Sequence, residues 1–132
     1  MNVLRQTERF DAPADRLFDI YVDPKRHAAV TGAKVTIGKR AGSKFAAFEG
    51  MISGRTELVI AKRLVVQSWR AGHWKKNEAD SLLVLAFVPS GKRGRIELLH
   101  IGVPDHDLDG VRKGWPNFYW KPLRAYLKRS AG

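Results

Sequence analysis

The chain has 132 residues and a formal net charge of +11, from 24 lysines and arginines against 13 aspartates and glutamates. With 44% hydrophobic residues it can fill one packed core but not two, so we expect a single domain over residues 1–132. The absence of cysteine excludes disulfides, thiol catalysis and thiolate metal sites. No apolar run reaches the roughly eighteen residues of a membrane span, and the N-terminal segment lacks a signal-peptide core, which predicts a cytoplasmic protein.

The excess positive charge is spread along the chain, mostly as isolated basic pairs at expected turns and chain ends. The segment from Val111 onward is one-sided, because it carries basic residues and no acid. Its cations are Arg112, Lys113, Lys121, Arg124, Lys128 and Arg129. No arginine-rich or aromatic-basic binding motif accompanies them, so a solvated helix face is favoured over a nucleic-acid or anionic-membrane site.

A strand followed by two short helices is predicted at the start of the chain. Residues 3–10 form the strand, and Pro13 suits the first turn of the helix that follows. The apolar face of that helix is Leu17, Phe18, Tyr21 and Val22. Asp23 caps the second helix and Pro24 opens it, and Gly32 ends it.

The middle of the chain is predicted to form five or six sequential strands. The segments are residues 34–37, 43–49, 51–60, 64–70, 82–88 and 95–101. In 51–60 one parity holds Ile52, Gly54, Thr56, Leu58 and Ile60, and the other holds Ser53, Arg55 and Glu57. Such alternation is typical of a half-buried antiparallel strand. The last two strands are predicted to pair as a hairpin around residues 89–94.

An aromatic stripe predicts one long helix in the last thirty residues. Apolar side chains recur there at steps of three and four: Leu108, Val111, Trp115, Phe118, Tyr119, Pro122 and Tyr126. A bend is predicted at Pro122, which lacks the N–H that would bond the carbonyl of Phe118. The element order predicts an α+β fold in which a curved antiparallel sheet wraps around this helix.

Several short motifs, in their order and spacing, resemble the SRPBCC superfamily with its START-like helix-grip fold. They are Phe10-Asp11-Ala12-Pro13, Lys44-Phe45, Glu49-Gly50, Ser53-Gly54, Trp69-Arg70 with Trp74, and Gly102-Val103-Pro104 to Gly114-Trp115 with Tyr119. Within that superfamily, residues 5–128 are most similar to the C-terminal domain of the activator of heat-shock protein 90 ATPase. The resemblance implies a sheet gripping the last helix, with a hydrophobic cavity between them. It does not imply one activity, because the superfamily includes lipid carriers, cyclases and hydrolytic relatives.

The inward-facing side chains of the strands and helix form the candidate binding site. They are Gln67, Trp69, Leu83, Leu85, Phe87, Ile96, Leu98, His100, Trp115, Phe118 and Tyr119. An apolar lining with a few polar points is typical of small-molecule sites. We therefore expect non-catalytic binding of a small hydrophobic or amphipathic ligand, whose polar end Gln67 or His100 would hold. The alternative is that these side chains fill the space as an ordinary core.

Two other functions stay open. An enzyme using His100 would need a polar partner within hydrogen-bond reach of its ring. A protein-interaction module, with a chaperone as partner, would need an exposed patch. Neighbouring apolar residues on the outward parity of the last two strands predict a homodimer contact, unless a loop of the same chain covers them. The residues concerned are Leu82, Val84, Leu99 and Ile101.

Acidic residues precede the last helix, at Asp105, Asp107 and Asp109 around His106. They could suggest a metal site, but acids at a helix start fit better as caps and dipole partners. No metal or other cofactor is therefore expected. His73 and Trp74 lie in a polar loop and could form a lid over the cavity, although packing of Trp74 on the sheet edge is favoured.

Overall fold

A computed structural model describes residues 1–131, which form six strands in one antiparallel sheet of order β1-β6-β5-β4-β3-β2. The strands are β1 Val3–Phe10, β2 Lys44–Ala47, β3 Ile52–Ile60, β4 Leu64–Ala71, β5 Ser81–Ser90 and β6 Arg93–Ile101. The helices are α1 Ala14–Val22, α2 Pro24–Thr31, α3 Leu108–Trp115 and α4 Lys121–Ala131, with a 3-10 turn at Asp105–Asp107 and a π-helical turn at Pro116–Trp120. This confirms the predicted α+β helix-grip fold. Within residues 1–131, no helix has the length and apolarity needed to cross a membrane.

The concave face of the sheet holds the core. On β4, β5 and β6, the side chains predicted to point inward are all buried: Val65, Gln67, Trp69, Leu83, Leu85, Phe87, Ile96, Leu98 and His100. Strand parity predicted them correctly because these strands pair without a register shift. Helix α1 packs over β5 and β6, and the ring of Phe18 meets that of Phe87 edge-on at 5.5 Å.

The ends of the short helices follow the sequence signals closely. The Arg26 backbone N–H donates to Asp23 Oδ2 at 2.8 Å, which confirms the aspartate cap of α2. Gly32 ends this helix with φ +79°. Helix α1 begins at Ala14, so Pro13 is its N-cap and not a first-turn residue.

Two strand predictions are wrong. Residues 34–37 contribute an isolated bridge to β2 and not a strand. In β3 the pairing register shifts between Thr56 and Leu58. Such an irregularity reverses the parity beyond it, so Leu58 and Ile60 are exposed while Val59 packs against the core.

The C-terminal helix, residues 108–131, contains a π-helical turn that rotates its buried face. The Lys121 N–H donates to the carbonyl of Pro116, five residues back. The extra residue in this turn displaces the α-helical pattern that follows it. Trp120, Leu123 and Leu127 therefore join Val111 and Trp115 in the core.

The predicted stripe is consequently wrong for Phe118, while Tyr119 and Tyr126 pack against the core without being fully buried. Phe118 is 57% exposed, and Pro122 and Tyr126 are only partly buried. The helix is continuous through Pro122, and its irregularity lies in the turn just before that residue. Pro122 has no backbone N–H to donate to the turn before it. The π-turn lies in this same stretch and changes which carbonyls are paired with an N–H there.

Candidate functional site

An apolar cleft of about 360 Å³ opens beside the C-terminal helix, between the β2–β3 hairpin and the end of β4. The hairpin and the helix form two facing walls, and β4 with the loop after it closes the third side. The lining residues are Phe48, Met51, Ile52, Trp69, Ala71, His73, Asp107, Gly110, Val111, Gly114, Trp115, Phe118 and Tyr119. Their side chains are mostly aromatic or aliphatic, with His73 and Asp107 as polar points.

The hairpin wall depends on an unusual backbone conformation. Phe48, Glu49 and Gly50 have φ values of 52°, 57° and 85°. The Met51 N–H donates to the Phe48 carbonyl at 3.0 Å, so Glu49 and Gly50 are the central residues of a turn with the positive φ angles of type I′. For a bulky residue such as Phe48 this conformation costs on the order of 1 kcal/mol. It places the Phe48 ring against Phe118, with ring centroids 5.5 Å apart.

A glycine forms part of the helix wall. Gly114 lies in the last turn of α3, where glycine is about 1 kcal/mol less favourable than alanine. Apart from the backbone of its own helix and its chain neighbours, the nearest atom within residues 1–131 to a Cβ at this position would be Phe118 Cδ2, at 3.6 Å. That is ordinary contact, so close packing does not require the glycine. Its missing side chain leaves room in the cleft.

His100 is held in a chain of hydrogen bonds that fixes its tautomer. The Trp115 indole N–H, which can only donate, lies 3.2 Å from His100 Nδ1. The ring proton is therefore on Nε2 and is donated to Ser81 Oγ at 2.8 Å. Ser81 in turn donates to the Trp69 carbonyl at 2.6 Å.

Through these hydrogen bonds, His100 fixes the position of the Trp115 indole. Burial lowers the pKa of His100 to about 4, so the ring is neutral at physiological pH. Both ring nitrogens have structural partners and the side chain is fully buried. No lone pair remains to take a proton from a substrate, so the geometry gives the enzyme hypothesis no support. Ser81 was missed because the strand was predicted to start one residue later.

A second buried network links Gln67 to α1. The Tyr21 hydroxyl donates to Gln67 Oε1 at 2.6 Å, and Gln67 Nε2 donates to Thr56 Oγ1 at 3.3 Å. Burial raises the pKa of Tyr21, so its hydroxyl keeps its proton. Gln67 is fully buried and satisfied within the core. It is not placed to hold the polar end of a ligand in the cleft.

His27 fixes the position of the Tyr119 hydroxyl. It is not among the predicted site residues. His27 Nδ1 lies 2.8 Å from the Tyr21 carbonyl, which only accepts, so the ring proton is on Nδ1. Nε2 then accepts from the Tyr119 hydroxyl at 2.9 Å. Burial lowers the pKa of His27 to about 4 and raises that of Tyr119. The Tyr119 ring thus lines the cleft while its hydroxyl is held inside.

The predicted site residues divide into two groups. Trp69, Trp115, Phe118 and Tyr119 meet at the cleft. The others pack in the interior: Gln67, Leu83, Leu85, Phe87, Ile96, Leu98 and His100. Under the helix, residues 1–131 enclose a void of about 20 Å³, roughly one water in size. The central interior is therefore a packed core, and the open space lies to one side of it.

The hairpin wall of the cleft is not among the predicted site residues. Phe48 and Met51 flank the Glu49-Gly50 turn, where polar residues would be ordinary. Two large apolar residues at a turn were the signal that this hairpin packs against something. Only the folded chain shows that the C-terminal helix is its partner.

The rim of the cleft is formed by the loop after β4 and the 3-10 turn. Asp107 Oδ2 accepts from the Trp74 indole N–H at 2.7 Å and lies 3.2 Å from His73 Nε2. Asp107 makes no side-chain cap to α3 among the described residues, so the capping prediction is wrong for it. Trp74 is buried, with its ring 5.7 Å from that of Trp69.

His106 and Glu78 form a second link across this rim. His106 Nε2 lies 3.0 Å from both Glu78 carboxylate oxygens, and this hydrogen bond lowers the pKa of Glu78. In the part of the chain that the structure describes, no group of three or more histidine and acidic side chains is placed to hold a metal ion.

The sheet order, the gripped C-terminal helix and the cleft beside it define a protein of the SRPBCC-like, helix-grip class. Residues 11–128 match the family described as "Activator of Hsp90 ATPase homolog 1-like protein", and the chain belongs to this family.

Its relatives include a Dictyostelium discoideum activator of 90 kDa heat shock protein ATPase homolog, 26% identical over 85% of this chain and 29% of that protein. An HSP90 activator from Plasmodium falciparum has the same fold, with a TM-score of 0.86 at 19% identity over 96% of each chain. A dimeric Aha1 from Colwellia psychrerythraea superposes with a TM-score of 0.78 at 12% identity over 94% of each chain. The chain spans about a third of the length of the curated relatives it matches.

Proposed function

We propose that this protein binds one small apolar or amphipathic molecule in the cleft between the β2–β3 hairpin and the C-terminal helix, without chemical conversion. The observation that carries the proposal is the cleft itself, whose 360 Å³ falls within the range of about 300–1,000 Å³ for small-molecule sites. The strained backbone of Phe48 supports the proposal, and so does Gly114, which close packing does not require. Each of these residues costs stability and each shapes the cleft.

The polar end of such a ligand would lie at the rim. His73 and Asp107 provide the polar atoms there, in place of the buried Gln67 and His100. A ligand that buries about 200 Å² of its own apolar surface and covers a similar apolar area of the cleft gains about 10 kcal/mol before the cost of association. After an association cost of at least about 4 kcal/mol, we expect dissociation constants on the order of tens of micromolar or weaker.

A fluorescence titration with the neutral probe N-phenyl-1-naphthylamine tests the proposal. The wild type should bind it saturably at one site. Gly114→Leu should weaken binding at least about tenfold, because the new side chain enters the cleft beside Phe118. Its unfolding midpoint should not fall, since leucine favours the helix more than glycine does. The matched control is Ala125→Leu, which adds the same side chain at an exposed position of α4.

Equal probe binding by Gly114→Leu and the wild type would rule out the cleft as the site. Leu98→Trp, which the sequence alone would suggest as a cavity-filling change, is unsuitable. Leu98 is only 3% exposed within the packed core, so overpacking there should destabilise the fold and not report on ligand binding.

A second candidate is a protein-interaction role, favoured by the outer face of the sheet. Leu82 pairs with Ile101 and Val84 with Leu99, and Val84 also pairs with Val66 of β4. All stay partly exposed, so no loop within residues 1–131 buries them. Apolar side chains adjoining across three strands form a surface suited to another protein.

The names of the relatives suggest which proteins this face would meet. Several are named as activators of the Hsp90 ATPase, and a neighbour of the same fold is an Aha1 dimer. The candidate partners are thus an Hsp90-type chaperone or a second copy of this chain. ATPase assays of a purified Hsp90 with wild type and with Val84→Asp separate this role from ligand binding: stimulation lost in Val84→Asp but retained in Gly114→Leu would assign it to the outer face.

A further inference from the structure

A second depression carries a concentration of positive charge. It shares no lining residue with the cleft. It has a volume of about 820 Å³ and lies where the end of β1, the β5–β6 turn and α4 meet. Buried Phe10, Gly94 and Leu127 contribute its floor. The other lining residues are Arg9, Asp11, Ser90, Arg93, Arg124 and Lys128, so four cations face one acid. We call this depression the basic groove.

Folding accounts for only part of this charge. Among residues 1–131, neither Arg9 nor Lys128 forms an ion pair. The pair between Arg93 Nε and Asp11, at 3.2 Å, is between side chains 71% and 88% exposed, where ion pairs contribute little. Arg9 also lies directly opposite Arg95 in the β1–β6 ladder, a like-charge arrangement that is unfavourable.

One wall of the basic groove is held rigidly. Arg124 donates to Glu8 Oε2 at 2.7 Å and to the Arg9 carbonyl at 2.9 Å. Its guanidinium lies over the Phe10 ring, 4.8 Å from the centroid. Lys128 follows one helical turn later on the same face of α4. The facing wall carries Arg93, the first residue of β6.

The chemistry of the groove indicates which anion it suits. It is broad and open, and the cations line its walls over an apolar floor, which does not match the enclosed donor cluster that holds one phosphate. Sequence-tolerant nucleic-acid grooves offer exposed aromatic rings for base stacking. Here Phe10 is only 3% exposed and is covered by Arg124. Acidic side chains that alternate with a small apolar one would satisfy both the walls and the floor.

We infer that the basic groove binds an acidic segment of a partner protein. Aspartate or glutamate carboxylates of that segment pair with Arg9, Arg93 and Lys128, and an apolar side chain covers the floor near Leu127. The contact is charge-dominated, so it forms quickly and weakens as salt is added. It is independent of the cleft and of any small ligand there.

Fluorescence anisotropy with a short labelled peptide of glutamate and leucine tests this inference. The same peptide with glutamine in place of glutamate is the reference probe. The groove variant is Arg93→Ser with Lys128→Ser, since both side chains are exposed and removing them should leave the fold intact. The control variant is Lys39→Ser with Arg40→Ser, an exposed basic pair in another turn, and it loses the same two charges.

The glutamate peptide should bind the wild type and the control variant alike, and the groove variant about tenfold more weakly. The glutamine peptide should bind none of them measurably. Equal losses in the two variants would show that net charge alone attracts the peptide, and would overturn the inference. A labelled single-stranded oligonucleotide that bound more tightly than the peptide, with the same dependence on the groove, would also overturn it.

Discussion

Trp115 is the residue at which the cleft and the packed core meet. Its ring lines the cleft and stacks on Trp120 with centroids 5.6 Å apart, and its indole N–H is held by His100. Because its N–H is bonded to buried His100, the Trp115 ring is held in one position in the cleft wall. Its role is therefore both to anchor the helix and to shape the site.

Truncation of Trp115 should be costly in a graded way. Trp115→Ala should lower the free energy of unfolding by roughly 3–5 kcal/mol, the range for removing a large buried aromatic. Trp115→Phe keeps a ring but leaves His100 Nδ1 without a donor, and should cost at least about 1–3 kcal/mol. Phe118→Ala and Lys121→Ala, at exposed positions, should each cost less than about 1 kcal/mol. Urea melts decide the order, and a Phe118→Ala loss equal to that of Trp115→Ala would contradict the buried face described above.

The two buried histidines should make stability depend on pH. Burial lowers the pKa of both His27 and His100 from 6.5 to about 4. The unfolded chain therefore takes up protons first as the pH falls. The stability that the neutral rings provide is fully present above about pH 6.5 and is lost between about 6.5 and 4, at up to about 1.4 kcal/mol per pH unit for each histidine.

Urea unfolding at a series of pH values measures this slope. His27→Gln should reduce the slope of the unfolding free energy against pH by the contribution of one histidine. This reduction is expected whatever the effect of the substitution on stability at pH 7. His73→Gln, the same substitution at a histidine whose side chain is 54% exposed, is the control. A free energy of unfolding that is independent of pH between 6.5 and 5 would contradict the assignment of neutral, buried rings.

At the scale of elements, the π-helical turn brings the apolar faces of α3 and α4 onto the same side of the C-terminal helix. A regular α-helix with this sequence would turn the two faces away from each other. Trp115 and Trp120 are five residues apart, and both are buried. Removing one residue between them would give a spacing of four, with Leu123 and Leu127 then also at helical positions. The turn therefore behaves as a one-residue insertion into an otherwise regular amphipathic helix.

Deletion of Asn117, an exposed residue in this turn, should consequently be tolerated. The buried face of α4 would keep its alignment, and the loss of stability should stay within about 2 kcal/mol. Deleting Lys113 from the regular α3 is the comparison. It rotates Trp115 by about 100° relative to Val111 and should prevent folding at moderate temperature. Circular dichroism melts of the two deletions test this, and equal damage would show that the π-turn is not an insertion.

The sequence predicts those elements whose periodicity is unbroken. Inward parity was correct on β4, β5 and β6 because nothing interrupts their alternation. It failed in β3 beyond Thr56, where a register shift reverses the faces. In the last helix it placed Phe118 inside and missed Trp120, Leu123 and Leu127, because the π-turn rotates the buried face. Local patterns do not reveal a single inserted residue, because the pattern on each side of it is regular.

The cleft could be predicted only in part, for a different reason. Its aromatic residues Trp69, Trp115 and Tyr119 belong to recognisable elements and were identified. Its opening depends on the positive φ angles at the β2–β3 turn and on a side chain that Gly114 lacks. Empty space is set by how close two distant elements approach each other, and no residue pattern encodes that distance directly.

At the scale of the whole molecule, the surfaces proposed for contact differ in physical character. The basic groove would attract an acidic segment through charge, while the outer sheet face offers apolar side chains around Val84. A net charge of +11 acts on them in opposite directions. Added salt screens the attraction at the groove, but it also screens the repulsion between two copies of the chain.

This opposition gives the homodimer prediction a specific signature. If two copies pair through Leu82, Val84, Leu99 and Ile101, sedimentation at micromolar concentration should show a dimer that tightens as salt is raised, because apolar burial drives the contact and like charge opposes it. Val84→Asp should dissociate the dimer by burying an unpaired carboxylate. Ala125→Asp adds the same charge at an exposed position of α4, away from the outer face of the sheet, and should leave the dimer intact. A monomer at every concentration and salt level would remove the second copy as a partner and leave the outer face to a different protein.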